Sequence, residues 1–199
     1  VSSDGTIYFT VSSRRFGIDD YRSDIIEHSN TGRLFRRSAA GEIELLLDGL
    51  SFANGVALSA DESSVFVAET GEYRIRRMRL DDPGVSDVFV ENLPGIPDNL
   101  TASAGIVWAA LFSPRNRPLD LLLPRPRLRA LVSRLPERLQ PQPVRHGFVV
   151  GFDETTGDVV HNLQDPAGGY APVTSARMHE GRLWLGSLTQ PAIAVLGLP

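Results

Sequence analysis

Gly5-Thr6-Ile7-Tyr8-Phe9-Thr10, Ser63-Ser64-Val65-Phe66-Val67-Ala68, Gly105-Ile106-Val107-Trp108-Ala109-Ala110 and Gly181-Arg182-Leu183-Trp184-Leu185-Gly186 share one layout. In each, a small turn residue is followed two places on by an aliphatic and three places on by an aromatic. The apolar, β-branched and aromatic character of each run is that of a strand packed on both faces, with Gly or Ser marking the turn before it. A second apolar strand follows each, over 32–37, 73–80, 146–153 and 192–196, and a third follows three of them, over 42–47, 86–91 and 158–162. Antiparallel strands joined by short turns and recurring about every 40 to 50 residues are the mark of a β-propeller. The four segments read as the inner strands of four blades.

The segments start 58, 42 and 76 residues apart. One insertion at about 113–145 accounts for the long interval: Leu128, Leu131, Val132, Leu135 and Leu139 fall at helical spacing, bracketed by Pro124, Pro126 and Pro136. It reads as a surface excursion packed by its leucine stripe, with a lid over the binding face or a contact with an anionic membrane surface as the functional alternatives. Four blades fall short of the six that this aromatic-strand type suits. Residues 1–199 are therefore expected to be one partial domain of an all-β, six-bladed propeller, with blades ahead of Val1. An incomplete ring would expose unpaired strand edges.

Composition narrows the chemistry. The 199 residues carry a net charge of −4, and nothing in them suggests nucleic acid as a partner. No apolar run approaches the roughly 20 residues needed to cross a bilayer. Location is open, because any export signal or anchor would lie upstream. Cysteine is absent, which removes disulfides, thiolate metal sites and cysteine nucleophiles. All 20 basic residues are arginine, which removes Schiff-base and P-loop chemistry. Eight of them lie between Ser113 and Arg145 against only Asp120 and Glu137, so the remainder of the chain is acidic.

Equivalent strand ends converge on a propeller's axis, which directs attention to the residues just before the repeat segments. Those are Phe52-Ala53-Asn54-Gly55-Val56-Ala57-Leu58, Pro97-Asp98-Asn99-Leu100-Thr101 and Val173-Thr174-Ser175-Ala176. They offer oxygen donors only. A carboxylate and two side-chain amides suit a hard cation, most naturally calcium. Zinc is disfavoured by the missing cysteines and by the scatter of His28, His146, His161 and His179. Both Asn54-Gly55 and Pro97-Asp98-Asn99 also read as ordinary turns. Glu69 with Arg74, Arg76 or Arg77 reads as a structural ion cluster. Ser12, Ser13, Arg14 and Arg15 read as a loop that could reach a pocket mouth. Ser187 has no His and Asp arrangement to make a triad.

The run from Leu47 to Asp61, continuing through Phe66-Val67-Ala68-Glu69-Thr70, resembles the strictosidine-synthase-like branch of the six-bladed propellers, with the gluconolactonases and paraoxonases as relatives. So do Asn92-Leu93-Pro94-Gly95-Ile96-Pro97-Asp98-Asn99 and Gly181-Arg182-Leu183-Trp184-Leu185-Gly186-Ser187. The resemblance implies that Asn54 and Asp98 match metal-ligand positions of the gluconolactonase and paraoxonase types and that Asn99 matches a further paraoxonase ligand. It places two more ligands, a glutamate and an asparagine, ahead of Val1. The implied activity is calcium-dependent hydrolysis of a small lactone or ester. The alternatives are a propeller whose metal only pins its blades, and an amine-aldehyde condensing synthase. The synthase needs a catalytic glutamate close to Thr174, where this chain has a hydroxyl lining the pocket and no carboxylate until Glu180.

Overall fold

Residues 1–198 are described by a computed structural model, Glu137 by its backbone only. The strands fall into four antiparallel sheets that follow one another in chain order. Blade 1 holds β1 (Ile7–Val11), then helix α1 (Tyr21–Glu27), β2 (Gly32–Arg37) and β3 (Ile43–Leu50). Blade 2 is β4 (Ala53–Leu58), β5 (Ser64–Glu69), β6 (Arg74–Arg79) and β7 (Ser86–Val90). Blade 3 starts with β8 (Gly95–Ser103) and β9 (Ile106–Pro114), is interrupted by helices α2 (Arg117–Leu122) and α3 (Pro126–Val132), and resumes with β10 (Gly147–Asp153) and β11 (Val159–Asp165). Blade 4 comprises β12 (Ser175–His179), β13 (Arg182–Gly186) and β14 (Ala194–Gly197). Each sheet is a plain meander.

The repeat finds the blades but misnumbers their strands. Its second, third and fourth copies are β5, β9 and β13, each the second strand of its sheet. The innermost strands are β4, β8 and β12, and β8 lies against both β4 and β12. The aromatic strands carry the stronger apolar signal because they are covered on both sides: every residue of β5 is buried, as are Val107 through Leu111 of β9. The axial strands have one flank toward the centre and carry polar residues there, so they read as turns. The β8–β9 and β12–β13 hairpins turn through Ala104-Gly105 and Glu180-Gly181, both residues of each pair left-handed. That is the tight two-residue connection whose twist matches the flanking strands.

The core lies between blades. Leu34, Leu46, Val65 and Met78 fill the space between blades 1 and 2; Phe66, Ile75, Leu111 and Phe152 that between blades 2 and 3; Trp108, Val149, Val173 and Leu183 that between blades 3 and 4. Each fully buried side chain of this size contributes about 1.5–3 kcal/mol. The same contacts fix how neighbouring blades are rotated, and hence where their axial strands meet.

The insertion is not packed by the expected stripe. Leu128, Leu131 and Leu139 are 48%, 61% and 62% exposed. Leu119 and Leu122 instead pack on Ile26 of α1, with Val132 at the margin. Pro118, Pro124, Pro126 and Pro136 divide the stretch into helices of six and seven residues, so no continuous helical face can form. No helix among the described residues is long and apolar enough to cross a membrane.

Candidate functional site

Asn54 and the Asp98-Asn99 pair sit on strands, not in turns. In the β4–β5 ladder Ala53 pairs with Glu69 and Val56 with Val67, which leaves one extra residue on β4. In β8–β9, Pro97 pairs with Leu111 and Leu100 with Ala109, the same irregularity. Two axial strands thus bulge at equivalent places, and a bulge re-aims the side chains it carries. The strands touch there. A Cβ on Gly55 would fall 2.2 Å from Leu100 N and 2.5 Å from Asn99 Cα. The glycine of Asn54-Gly55 is needed for this approach and not for a turn.

A chain of hydrogen bonds ties the axial residues together across all four blades. Thr10 Oγ1 donates to Asn54 O at 2.6 Å, and Asn54 Nδ2 donates to Thr70 Oγ1 at 3.2 Å. Thr70 Oγ1 donates to Pro97 O at 2.7 Å, and Asn99 Nδ2 donates to Thr174 O at 2.8 Å. Asn99 Nδ2 also lies 3.2 Å from Asp98 Oδ1. The amide nitrogens of Asn54 and Asn99 are thus held by the protein, while their Oδ1 atoms have no hydrogen bond among the described residues. Burial raises the Asp98 carboxyl to about 7, and a hydrogen bond from Asn54 only partly offsets it. An under-compensated carboxylate beside two free amide oxygens is the donor chemistry a hard cation takes. No group of three His, Asp or Glu side chains that could hold a metal ion occurs among the described residues, so what they offer a cation here is one carboxylate and neutral oxygens.

These residues line one side of a chamber of about 310 Å³. Thr174, Thr70 and Ser12 join them there. The rest of the lining is largely apolar, with Phe52, Ile96 and Phe112 from the blades, Ile18, Ile25 and Ile26 from the segment around α1, Leu119, Pro141 and Pro143 from the insertion, and Leu188, beside the polar Asn116 and Gln142. Asp98 is the only carboxylate among the described lining residues, and Arg22 the only cation. Arg22 Nη2 donates to Pro141 O at 2.8 Å, tying α1 to the insertion. At the other end of α1, left-handed His28 meets Glu72 at 2.7 Å. In the preceding loop, Ser13 Oγ accepts from Arg15 N and Phe16 N, and Arg15 pairs with Glu27 of α1 at 3.0 Å. That loop positions α1, a helix too short to show a readable apolar period.

Thr174 is buried at the start of the fourth blade, its N–H donating to Gly186 O at 2.9 Å and its hydroxyl lying 3.3 Å from the same oxygen. Glu180 follows the far end of β12 with an exposed side chain and does not line the chamber. Behind the site, Glu69 is 1% exposed, accepts from Ser51 N at 2.9 Å and pairs with Arg74 at 2.5 Å and Arg76 at 3.8 Å. Arg77 turns away to Asp87. Glu69→Ala would strand Arg74 and the Ser51 N–H, a loss of about 3 kcal/mol that the denaturation midpoint should report.

The strictosidine synthase family profile matches residues 1–83. Adipocyte plasma membrane-associated protein of Salmo salar is 37% identical over all of this chain, which spans 50% of that protein. Strictosidine synthase-like 10 of Arabidopsis thaliana is 36% identical over 96% of the chain and 54% of its own length. The chain therefore spans about half the length of the curated relatives it matches. Among solved structures, a gluconolactonase from Xanthomonas campestris aligns over the whole chain and 55% of its own at TM-score 0.64 and 18% identity. The calcium-binding protein regucalcin from Agrobacterium tumefaciens aligns over 94% of this chain and 51% of its own at 0.58 and 16%. At such identities these two likenesses speak for the fold alone. By its blade meanders the chain has the β-propeller fold, and by the profile match over residues 1–83 and the relatives that align along its length it is similar to the strictosidine-synthase-like proteins.

Proposed function

We propose that the whole protein is a divalent-cation-dependent hydrolase of small lactones or esters, with calcium the best-suited ion. The observation that carries this reading is the meeting of Asn54, Asp98 and Asn99 in the wall of a largely apolar chamber. Regucalcin, a structural neighbour, is described as calcium-binding, and another neighbour as a gluconolactonase. Asn54, Asp98 and Asn99 would hold the ion, which when bound would polarise a carbonyl and acidify a water. The chain's own part is to keep those oxygens fixed through Thr70 and Thr174, and to exclude bulk water with Phe52, Ile96, Phe112 and the α1 segment. Thr174 serves as chamber wall, since its hydroxyl is already directed at Gly186 O.

Chelation of the full-length protein should abolish turnover of a lactone and aryl-ester panel, and Asp98→Ala should lower it by at least about a hundredfold. Unchanged turnover in both cases would sink the hydrolase. A propeller whose cation only pins its blades predicts instead a calcium-dependent melting temperature with no turnover of any substrate. The condensing-synthase reading is less favoured, because Asp98 is the only carboxylate among the described lining residues of the chamber that Thr174 shares. Product formed from an amine plus an aldehyde would restore it.

A further inference from the structure

The insertion between β9 and β10 has two unlike sides. One packs Leu119 and Leu122 on α1. The other leaves Leu121, Leu128, Leu131 and Leu139 at 64%, 48%, 61% and 62% exposure. Between these leucines stand exposed Arg117, Arg125, Arg127, Arg134 and Arg138. Elsewhere Arg33, Arg36, Arg77 and Arg79 pair with Asp48, Glu44, Asp87 and Asp81, and the exposed arginines without an ion pair among the described residues, Arg14, Arg37, Arg177 and Arg182, are scattered along the chain and not gathered in one segment. Among the described residues none of the arginines from 117 to 145 has an ion-pair partner, and the one carboxylate described there, Asp120, is taken by Arg115.

Residues 117–145 contain seven arginines against Asp120 and Glu137, a charge of +5, whereas the rest of the chain carries −9 to give the total of −4. Single exposed leucines need no explanation. Leucines interleaved with unpaired arginines do, because the two want different surroundings. An acidic protein surface would answer the arginines and leave the leucines in water. The boundary of an anionic bilayer answers both: headgroup phosphates meet the guanidinium groups while the leucines enter the acyl margin. The patch also borders the chamber. Ile18 and Leu188, 81% and 78% exposed, are among its lining residues, and Pro141 of the same insertion forms part of its wall.

We propose that the insertion docks on an anionic membrane surface and holds the chamber's mouth at the bilayer boundary. Each arginine near such a surface is worth about a fivefold gain in partitioning. Neutralising Arg127, Arg134 and Arg138 together should therefore weaken binding on the order of a hundredfold.

The test uses the full-length protein and vesicles of phosphatidylcholine with or without phosphatidylserine. An environment-sensitive dye is attached through L131C, and as control through V159C on the exposed outer strand β11. The residue-131 dye should shift to the blue on phosphatidylserine vesicles only, the residue-159 dye should not respond, and added salt should reverse the shift. R127Q/R134Q/R138Q and L128E should each remove most of it while leaving the melting temperature unchanged. No response at residue 131, or an equal one on neutral vesicles, would overturn the proposal. So would a dye at residue 131 already in apolar surroundings without lipid, which would show another part of the protein covering the patch. Because the readout is a local dye and not turnover, it stands apart from the fate of the hydrolase reading.

Discussion

Asp98→Asn should stabilise the cation-free protein at about pH 8 while abolishing the stabilisation that calcium gives the unaltered one. Burial sets both signs. The Asp98 carboxyl is raised to about 7 in the folded chain from an ordinary value of 3.8. Below the ordinary value it is protonated in both states and burial costs nothing. Between the two values the unfolded chain ionises while the native one keeps its proton, so stability falls as pH rises, and above 7 the loss is complete. The full shift corresponds to about 4 kcal/mol, and because Asp98 keeps some exposure to the chamber, about 2–4 kcal/mol is the range to expect. Asparagine keeps the shape and has no charge to bury. Melting curves in chelator should therefore separate the two proteins at pH 8 and converge near pH 4. With calcium the order should reverse, since the carboxylate is the one charged donor among the described residues of the site. Equal melting curves with and without calcium for the unaltered protein would remove the cation from this account.

Much of the fold is legible in the sequence because a blade's second strand is buried on both faces, and a run such as Ser64–Glu69 cannot be mistaken for surface. The axial strands are harder to read for the reason that makes them useful. Ala53–Leu58 and Gly95–Ser103 carry Asn, Gly, Pro and Asp where they face the chamber, and those residue types ordinarily signal turns. Asn54, Asp98, Asn99 and Thr174 stand out in the sequence as candidates nonetheless, since the family resemblance directs attention to those positions and a propeller brings equivalent strand ends together. Thr10, Thr70 and Thr101, whose hydroxyls stitch one blade to the next, do not. Threonine is common in strands and its spacing alone shows no partner. Helix α1 escaped because Tyr21–Glu27 is short and its inward face amounts to Ile25 and Ile26. The leucines of the insertion misled in the other direction: helical spacing is present, and the prolines prevent one helix from using it.

Gly55→Ala should be as damaging as the loss of a ligand, although the side chain gained is a single methyl. The added carbon would lie 2.2 Å from Leu100 N, 2.5 Å from Asn99 Cα and 2.6 Å from Asn99 C. All three are backbone atoms of a strand held on its far side by Asn99 N to Thr174 O and Thr101 Oγ1 to Ala176 O. Nothing flexible is available to yield, so β4 and β8 must part. Overpacking of this kind costs about 3 kcal/mol. The displacement falls between Asn54 and Asp98, so cation binding should weaken together with stability. Gly17→Ala is the matched control, with extended backbone and nothing within 4 Å of the added carbon. A denaturation midpoint unchanged by Gly55→Ala would mean that the two axial strands are not in contact in solution, and without that contact Asn54 and Asp98 have no reason to share one ion.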